Sequence, residues 1–167
     1  MNKNNKFITK NFEETRKLGE NLAGKIDKGT VIALYGDLGS GKTTFVQGFA
    51  RGLGINKRLI SPTYIILRTY KIKLKTKNLS PKGTSFPEAA KLKTSVQEVK
   101  NFYHVDLYRI QNEEDIKGIG LDEIIKDGKD IVAVEWAEKL GEFLPKKRID
   151  VHFRTQGDAR EITIKYL

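Results

Sequence analysis

Cysteine is absent from the 167 residues, which excludes disulfides, thiol catalysis and cysteine-ligated metal. Long apolar runs are also missing. No stretch approaches the roughly 20 residues that a bilayer-spanning helix needs, and the basic start MNKNNKFITK lacks the apolar core of a secretory leader. Apolar residues make up 38% of the chain and charged residues 31%. The first share is low and the second high for a globular protein, yet together they suffice for one core. These absences point to a single domain spanning residues 1–167, in the cytoplasm, with no membrane partner.

Acidic residues are scarce relative to basic ones: 21 Asp and Glu face 31 Lys and Arg, for a net charge of +10. Such an excess suggests an anionic partner, but it is unevenly spread. Residues 71–100 hold eight lysines and two glutamates, so six of the ten net charges sit in one segment. Residues 73–100 have weak periodicity and mixed Lys, Ser, Thr, Pro and Gly. They read as a lysine-rich, exposed loop insertion, commonly a solvated face.

The rest of the chain is patterned. Asn11-Phe12-Glu13-Glu14 reads as a capped helix entrance, and Leu18, Leu22 and Ile26 continue it as one apolar stripe. Val31 to Tyr35 is a buried strand. From Lys42 a second helix runs to about Leu53, with Phe45, Val46, Phe49, Ala50 and Leu53 inward. Tyr64 to Tyr70 and NFYHVDLYRI read as strands, Glu113 to Asp127 as short helices broken near Gly118 and Gly120, and Ile131 to Glu135 as a buried strand. Trp136 to Phe143 makes a helical turn. Ile149 to Phe153 and Glu161 to Tyr166 flank a turn at Thr155-Gln156-Gly157-Asp158, a hairpin. Strand, loop and helix followed by alternating strands and helices predicts an α/β fold. The expected form is a P-loop NTPase three-layer sandwich with a mixed, mostly parallel central sheet and a C-terminal β-hairpin.

One motif carries chemistry. Gly36-Asp37-Leu38-Gly39-Ser40-Gly41-Lys42-Thr43 satisfies G-x-x-x-x-G-K-[ST], between an apolar strand and an amphipathic helix. Glycines allow positive φ and bring successive amides around phosphate oxygens, and the helix start adds its positive end. Asp37, Leu38, Gly39, Ser40, Gly41 and Thr44 would line the phosphates. Lys42 would reach the β- and γ-phosphates, and the Thr43 hydroxyl would ligate Mg²⁺.

Such a site needs an acid at the tip of a neighbouring strand. Asp106 and Glu135 both qualify. The expectation is that Glu135 is the metal-side acid, directly or through water, and Asp106 the water-positioning or second metal-side group. Spacing does not settle which is which. His104 is a packed histidine beside Asp106 or a proton shuttle; Trp136 stacks on a base or serves as a core or lid aromatic. Ser61-Pro62-Thr63-Tyr64 lies where P-loop switches place a γ-phosphate-sensing hydroxyl. Asn56-Lys57 has no nearby Asp to read guanine, so ATP is favoured over GTP.

GDLGSGKTTF, SPTY, HVDLYR, VEWAE and a terminal R-E-I-T-I strand, in this order, resemble the TsaE family of bacterial P-loop ATPases of tRNA threonylcarbamoyladenosine (t6A) synthesis. The resemblance implies slow ATP hydrolysis with Mg²⁺, coupled to the TsaB–TsaD heterodimer. That complex modifies adenosine 37 of tRNAs reading codons that begin with A, and the ATPase resets or regulates the transferase. tRNA would be met indirectly through the complex, and DNA not at all. The resemblance also implies metal binding by Thr43 and Glu135, hydrolysis dependent on Asp106, Lys42 and the switch-like Thr63, an adenine pocket with Phe12 or Thr15, and places for Trp136 and Arg160 near the nucleotide. The segment after Tyr70 is longer than the family's usual connection. Two other readings compete: a small-molecule P-loop kinase, and a nucleic-acid-binding module using the basic insertion.

Overall fold

The computed structural model describes residues 4–26, 29–56, 59, 62, 66–75 and 97–167. In chain order the elements are β1 (Asn4–Thr9), α1 (Phe12–Ala23), β2 (Thr30–Tyr35), α2 (Lys42–Gly52), β3 (Leu67–Lys75) and β4 (Gln97–Asp106). Then follow α3 (Glu113–Gly118), α4 (Leu121–Asp127), β5 (Ile131–Glu135), a 3₁₀ segment (Ala137–Phe143), β6 (Ile149–Gln156) and β7 (Ala159–Tyr166). The strands form one seven-stranded sheet in the order β1-β7-β6-β2-β5-β4-β3.

The centre of the sheet is parallel: β2 pairs in parallel with β6 and β5, and β5 with β4. The flanking pairs β1–β7, β6–β7 and β3–β4 are antiparallel. This follows from burial. The central strands are covered on both faces, so β5 reads Ile-Val-Ala-Val-Glu with every residue buried, as parallel strands between helical layers must. One face packs Leu34, Ile131 and Phe102 against Leu22, Phe45 and Phe49 of α1 and α2. The other packs Val105, Val132 and Val134 against Ile116, Leu121, Ile125 and Leu140. The expected three-layer α/β architecture is the observed one, and the C-terminal hairpin is present, turning at Gly157 with φ +57°.

α1 begins as its sequence predicts: the Asn11 side chain accepts the Glu14 amide at 2.9 Å. Glu14 reaches back one residue further than a capping box would, accepting the Lys10 amide at 2.7 Å. The strands differ more from expectation. The polar start is strand β1, held by its backbone ladder to β7 and by a Lys6–Glu161 ion pair of 2.7 Å. An edge strand needs no apolar alternation when a neighbour supplies its hydrogen bonds. The stretch 73–100 is not loop at its ends, since Lys73 pairs with Val99 and Ile72 with Lys100 in the β3–β4 ribbon. Residues 76–96, the remainder of that stretch, lie outside the described residues. After Asp106 the chain leaves the sheet, and Leu107 to Ile110 closes a turn by an Ile110 N–H to Leu107 carbonyl bond of 3.0 Å.

Helices α1 and α2 touch through glycine. A Cβ at Gly48 would lie 1.8 Å from the Arg16 carbonyl oxygen, and one at Gly19 would lie 2.1 Å from that of Phe45. No methyl fits between backbones this close. Gly48→Ala should therefore destabilise the fold by about 1–3 kcal/mol or more, read as a lowered urea midpoint. Gly118→Ala, with nothing within 4 Å of its new Cβ, should be neutral or stabilising by up to about 1 kcal/mol.

Candidate functional site

The site assembles at the C-terminal ends of β2, β4 and β5. β2 runs directly into the glycine loop, where Gly36, Gly39 and Gly41 take φ of +140°, +78° and +104°. Gly36 also lacks room for a side chain, because a Cβ there would sit 2.7 Å from the Phe153 carbonyl oxygen. The loop ends at Gly41, which caps α2, so the first amides of α2 face the mouth of the loop.

Register brings the two carboxylates together: Asp106 and Glu135 are direct partners across the β4–β5 ladder. They are 4% and 2% exposed. Glu135 accepts the Thr43 hydroxyl at Oε2, 2.8 Å away, and its Oε1 lies 2.7 Å from His104 Nε2. Asp106 accepts the Tyr108 amide at Oδ1, 3.0 Å away. Lys42 is 4% exposed, and its ammonium donates to the Gly36 and Asp37 carbonyls at 2.6 and 2.9 Å. It also sits 4.1 Å from the centre of the Trp136 ring. Burial lowers the Lys42 pKa from the usual 10.5, and the negative fields of Glu135, Glu138, Asp106 and Asp37 oppose that shift.

A cavity of about 290 Å³ opens here, lined by Phe12, the loop from Leu38 to Thr44, Asp106, Tyr108, Glu135 and Trp136. Of the two residues expected near a base, Phe12 lines this cavity. Thr15 is fully buried, with its hydroxyl joined to that of Thr9 at 2.8 Å. Arg160 stacks its guanidinium 5.0 Å from the Phe12 ring and lies against Gly41, 3.1 Å from a notional Cβ there. Thr63, Ser61 and Tyr64 lie outside the described residues. A larger cavity, about 600 Å³, lies at the other end of β2. It is lined by Lys25, Lys147, Arg148 and Asp130, of which Arg148 pairs with Asp150 and Asp130 with Asn101; the paired strand-tip acids lie at the opposite end, so we place the chemistry at the glycine loop.

Sequence reasoning missed two contributors. Tyr108 packs 5.2 Å from Trp136 and lends its amide to Asp106. Lys139 donates to the Tyr108 and Ile110 carbonyls at 2.5 and 2.8 Å, tying the 3₁₀ segment to the loop after β4. Tyr108 stands in the HVDLYR stretch, two residues after Asp106, but nothing local gives it a role, and no motif marks Lys139. Both non-glycine residues with positive φ among those described flank the site: Trp136 at +60° and Ile66 at +64°. Ile66 is β-branched, so this conformation is strained, and its carbonyl accepts the Asp106 amide at 2.9 Å.

The donor set suits Mg²⁺, which prefers oxygen ligands and is held by one or two protein groups plus substrate phosphates. Thr43 and Glu135 supply hard oxygens. Among the described residues no group of three or more His, Asp or Glu side chains forms a metal cage. The buried Ser40 hydroxyl has no hydrogen-bond partner, as a loop awaiting polar ligand atoms would show.

A parallel strand passing through a G-x-x-x-x-G-K-[ST] loop into a helix, beside acids on adjacent strand tips, defines a P-loop protein. The family profile described as "Threonylcarbamoyl adenosine biosynthesis protein TsaE" matches residues 9–80 and 85–162, and the chain belongs to the TsaE family. The match includes most of the lysine-rich stretch and breaks only at residues 81–84. The chain is 36% identical over 159 residues to the tRNA threonylcarbamoyladenosine biosynthesis protein TsaE of Bacillus subtilis, covering 95% of this chain and 83% of that protein. It is 29% identical over 158 residues to the protein of the same name from Treponema pallidum, covering 94% and 97%. The crystal structure of Bacillus subtilis YdiB superposes with a TM-score of 0.68 at 33% identity, covering 99% of this chain and 87% of that one.

Lys42 offers a direct test. Because its pKa is lowered, the folded state bears a cost that is full below the folded pKa and vanishes as pH rises toward 10.5. Nuclear magnetic resonance of ¹³Cε-labelled lysine, assigned with Lys42→Met, should show one midpoint below the rest. Adding triphosphate should raise that midpoint, because the anion favours the ammonium.

Proposed function

We propose that this chain is a Mg²⁺-dependent ATPase acting in t6A formation at adenosine 37 of tRNAs that read codons beginning with A. It works in the cytoplasm with the TsaB–TsaD pair, resetting or regulating the transferase rather than transferring the group itself. The observation that carries the reading is the juxtaposition of Lys42 and Thr43, at the head of α2, with two buried carboxylates in one ladder pair. The names of the relatives support the pathway, and nothing in them favours a small-molecule kinase.

Each residue then has a physical task. The loop amides and the head of α2 bind the phosphates. Lys42 exchanges the Gly36 and Asp37 carbonyls for phosphate oxygens. Thr43 and Glu135 hold Mg²⁺, which when bound neutralises phosphate charge. Asp106, fixed through Tyr108, orients water for attack and accepts its proton at the carboxylate. Phe12 and Arg160, stacked on each other, border the nucleoside end, and Trp136, over the Lys42 ammonium, borders the phosphates. No separate small-molecule acceptor is needed, because the output is a change in affinity for protein partners.

Calorimetry and phosphate-release assays divide these roles. Asp106→Asn should keep Mg·ATP affinity within about threefold while turnover falls by about 10²–10⁴-fold, the usual worth of a general base. Glu135→Gln should weaken Mg·ATP binding itself. Equal loss of binding in both variants contradicts the division of labour. No heat from Mg·ATP, even with TsaB and TsaD present, contradicts the whole reading.

A further inference from the structure

His104 is a fully buried polar side chain, 0% exposed, on an interior strand of the sheet. The residues facing the same side on its strand are Phe102 and Asp106, one buried in the apolar core and one in the site. A histidine there needs a reason. Its Nε2 lies 2.7 Å from Glu135 Oε1, and the other oxygen of Glu135 takes the Thr43 hydroxyl. The carboxylate is thus gripped from both sides, by β4 and by α2.

The other ring nitrogen sets the tautomer. Nδ1 is buried without a hydrogen-bond partner. The residue paired with His104 across the β3–β4 ladder is Arg68, whose Nε is likewise buried without a partner. Ladder partners share a face of the sheet. Arg68 brings a guanidinium, which can only donate, to the same face of the sheet as the ring, and a lone pair on Nδ1 is electrostatically more compatible with that positive charge than an N–H is. A proton on Nε2 also lets the ring donate to a carboxylate, which can only accept. Both arguments choose the same form.

We infer that His104 is the positioning residue for the metal-side acid: as the Nε2–H tautomer it holds Glu135 Oε1, so that Oε2 is presented to Thr43 and the Mg²⁺ position. This rests on the ATPase reading above and adds a residue to it. His104 does not line the cavity at the glycine loop; it acts through Glu135. Groups that orient a ligand in this way are typically worth about 10–100-fold in metal affinity.

The test uses two substitutions with opposite predictions. His104→Gln places an amide N–H close to the position of Nε2, whereas His104→Leu fills the space without a donor. ATP affinity is measured by calorimetry with Mg²⁺ and with a chelator. In the parent protein Mg²⁺ should raise affinity. His104→Leu should lose about 10–100-fold of that gain with metal-free affinity unchanged, and His104→Gln should keep most of it. The inference is overturned if His104→Leu keeps the full gain, or if the two variants lose it equally.

A second measurement needs no nucleotide and no substitution. The chain has only two histidines, so ¹⁵N-histidine spectra are readily assigned. His104 should appear as the Nε2–H tautomer, and an Nδ1–H tautomer overturns the inference even if a variant fails to fold. A parent protein without any Mg²⁺-dependent gain sinks the proposed function instead, and the tautomer then judges the His104–Glu135 contact by itself.

Discussion

Glu135 ends a strand whose other four side chains are apolar and buried, and it is itself 2% exposed. A carboxylate so placed is costly unless its oxygens are satisfied: stripping one partner from a buried charge pair typically costs about 3–5 kcal/mol. Here the satisfaction comes from separate elements, the Thr43 hydroxyl of α2 and the His104 ring of β4. The field of the Lys42 ammonium adds to it. Each bond demands that its element be in register. The head of α2 cannot drift from the tip of β5, nor can β4 slip against β5, without exposing or orphaning that charge. The site is therefore also a clamp on the fold.

The glycine contact between α1 and α2 serves the same end. Because Gly19 and Gly48 let the two backbones meet, α1 presses against α2 and carries Phe12 to the cavity edge. Thr15, one turn later, is drawn behind the loop, where its hydroxyl joins Thr9 of β1. β1 in turn hangs on β7, and β7 brings Arg160 against Gly41. The peripheral strands thus supply part of the wall of a site that the central strands define.

What could be read from the sequence follows from whether the signal is local. The glycine loop, α2 and β5 are local: spacing, an apolar run and a helical stripe lie within a few residues, and the structure places them as expected. β1 was not legible because its pairing uses backbone groups, and its only apolar residues, Phe7 and Ile8, are adjacent rather than alternating. The ends of the lysine-rich stretch were read as loop because residues 73–100 mix Lys, Ser, Thr, Pro and Gly with weak periodicity, yet the β3–β4 ladder orders those ends. Asp106 and Glu135 were legible as strand-tip acids. Their mutual pairing, and the assignment of His104 to Glu135 rather than to its own neighbour Asp106, were not. Those depend on a register between β4 and β5 that no single segment encodes. Lys139 illustrates the same limit. It closes on two carbonyls of the loop after β4, about thirty residues back in the chain, a contact that no local pattern announces.

The Lys42 ammonium is already satisfied by its own loop, and this shapes how the loop can work. Lys42 has two carbonyl acceptors and an aromatic face, so any anion that binds there would have to replace interactions that already exist. Net affinity is then the difference between two satisfied states, smaller than the sum of phosphate contacts would suggest. The backbone of Asp106 depends on a strained neighbour. Its amide bonds to the carbonyl of Ile66, a β-branched residue held at positive φ, a conformation that persists only while neighbours enforce it. Whatever relaxes Ile66 moves the acceptor of the Asp106 amide, while Glu135 stays gripped by Thr43 and His104. The two acids of one ladder pair thus have mechanically separable supports, Glu135 in α2 and β4 and the Asp106 backbone in the strained Ile66.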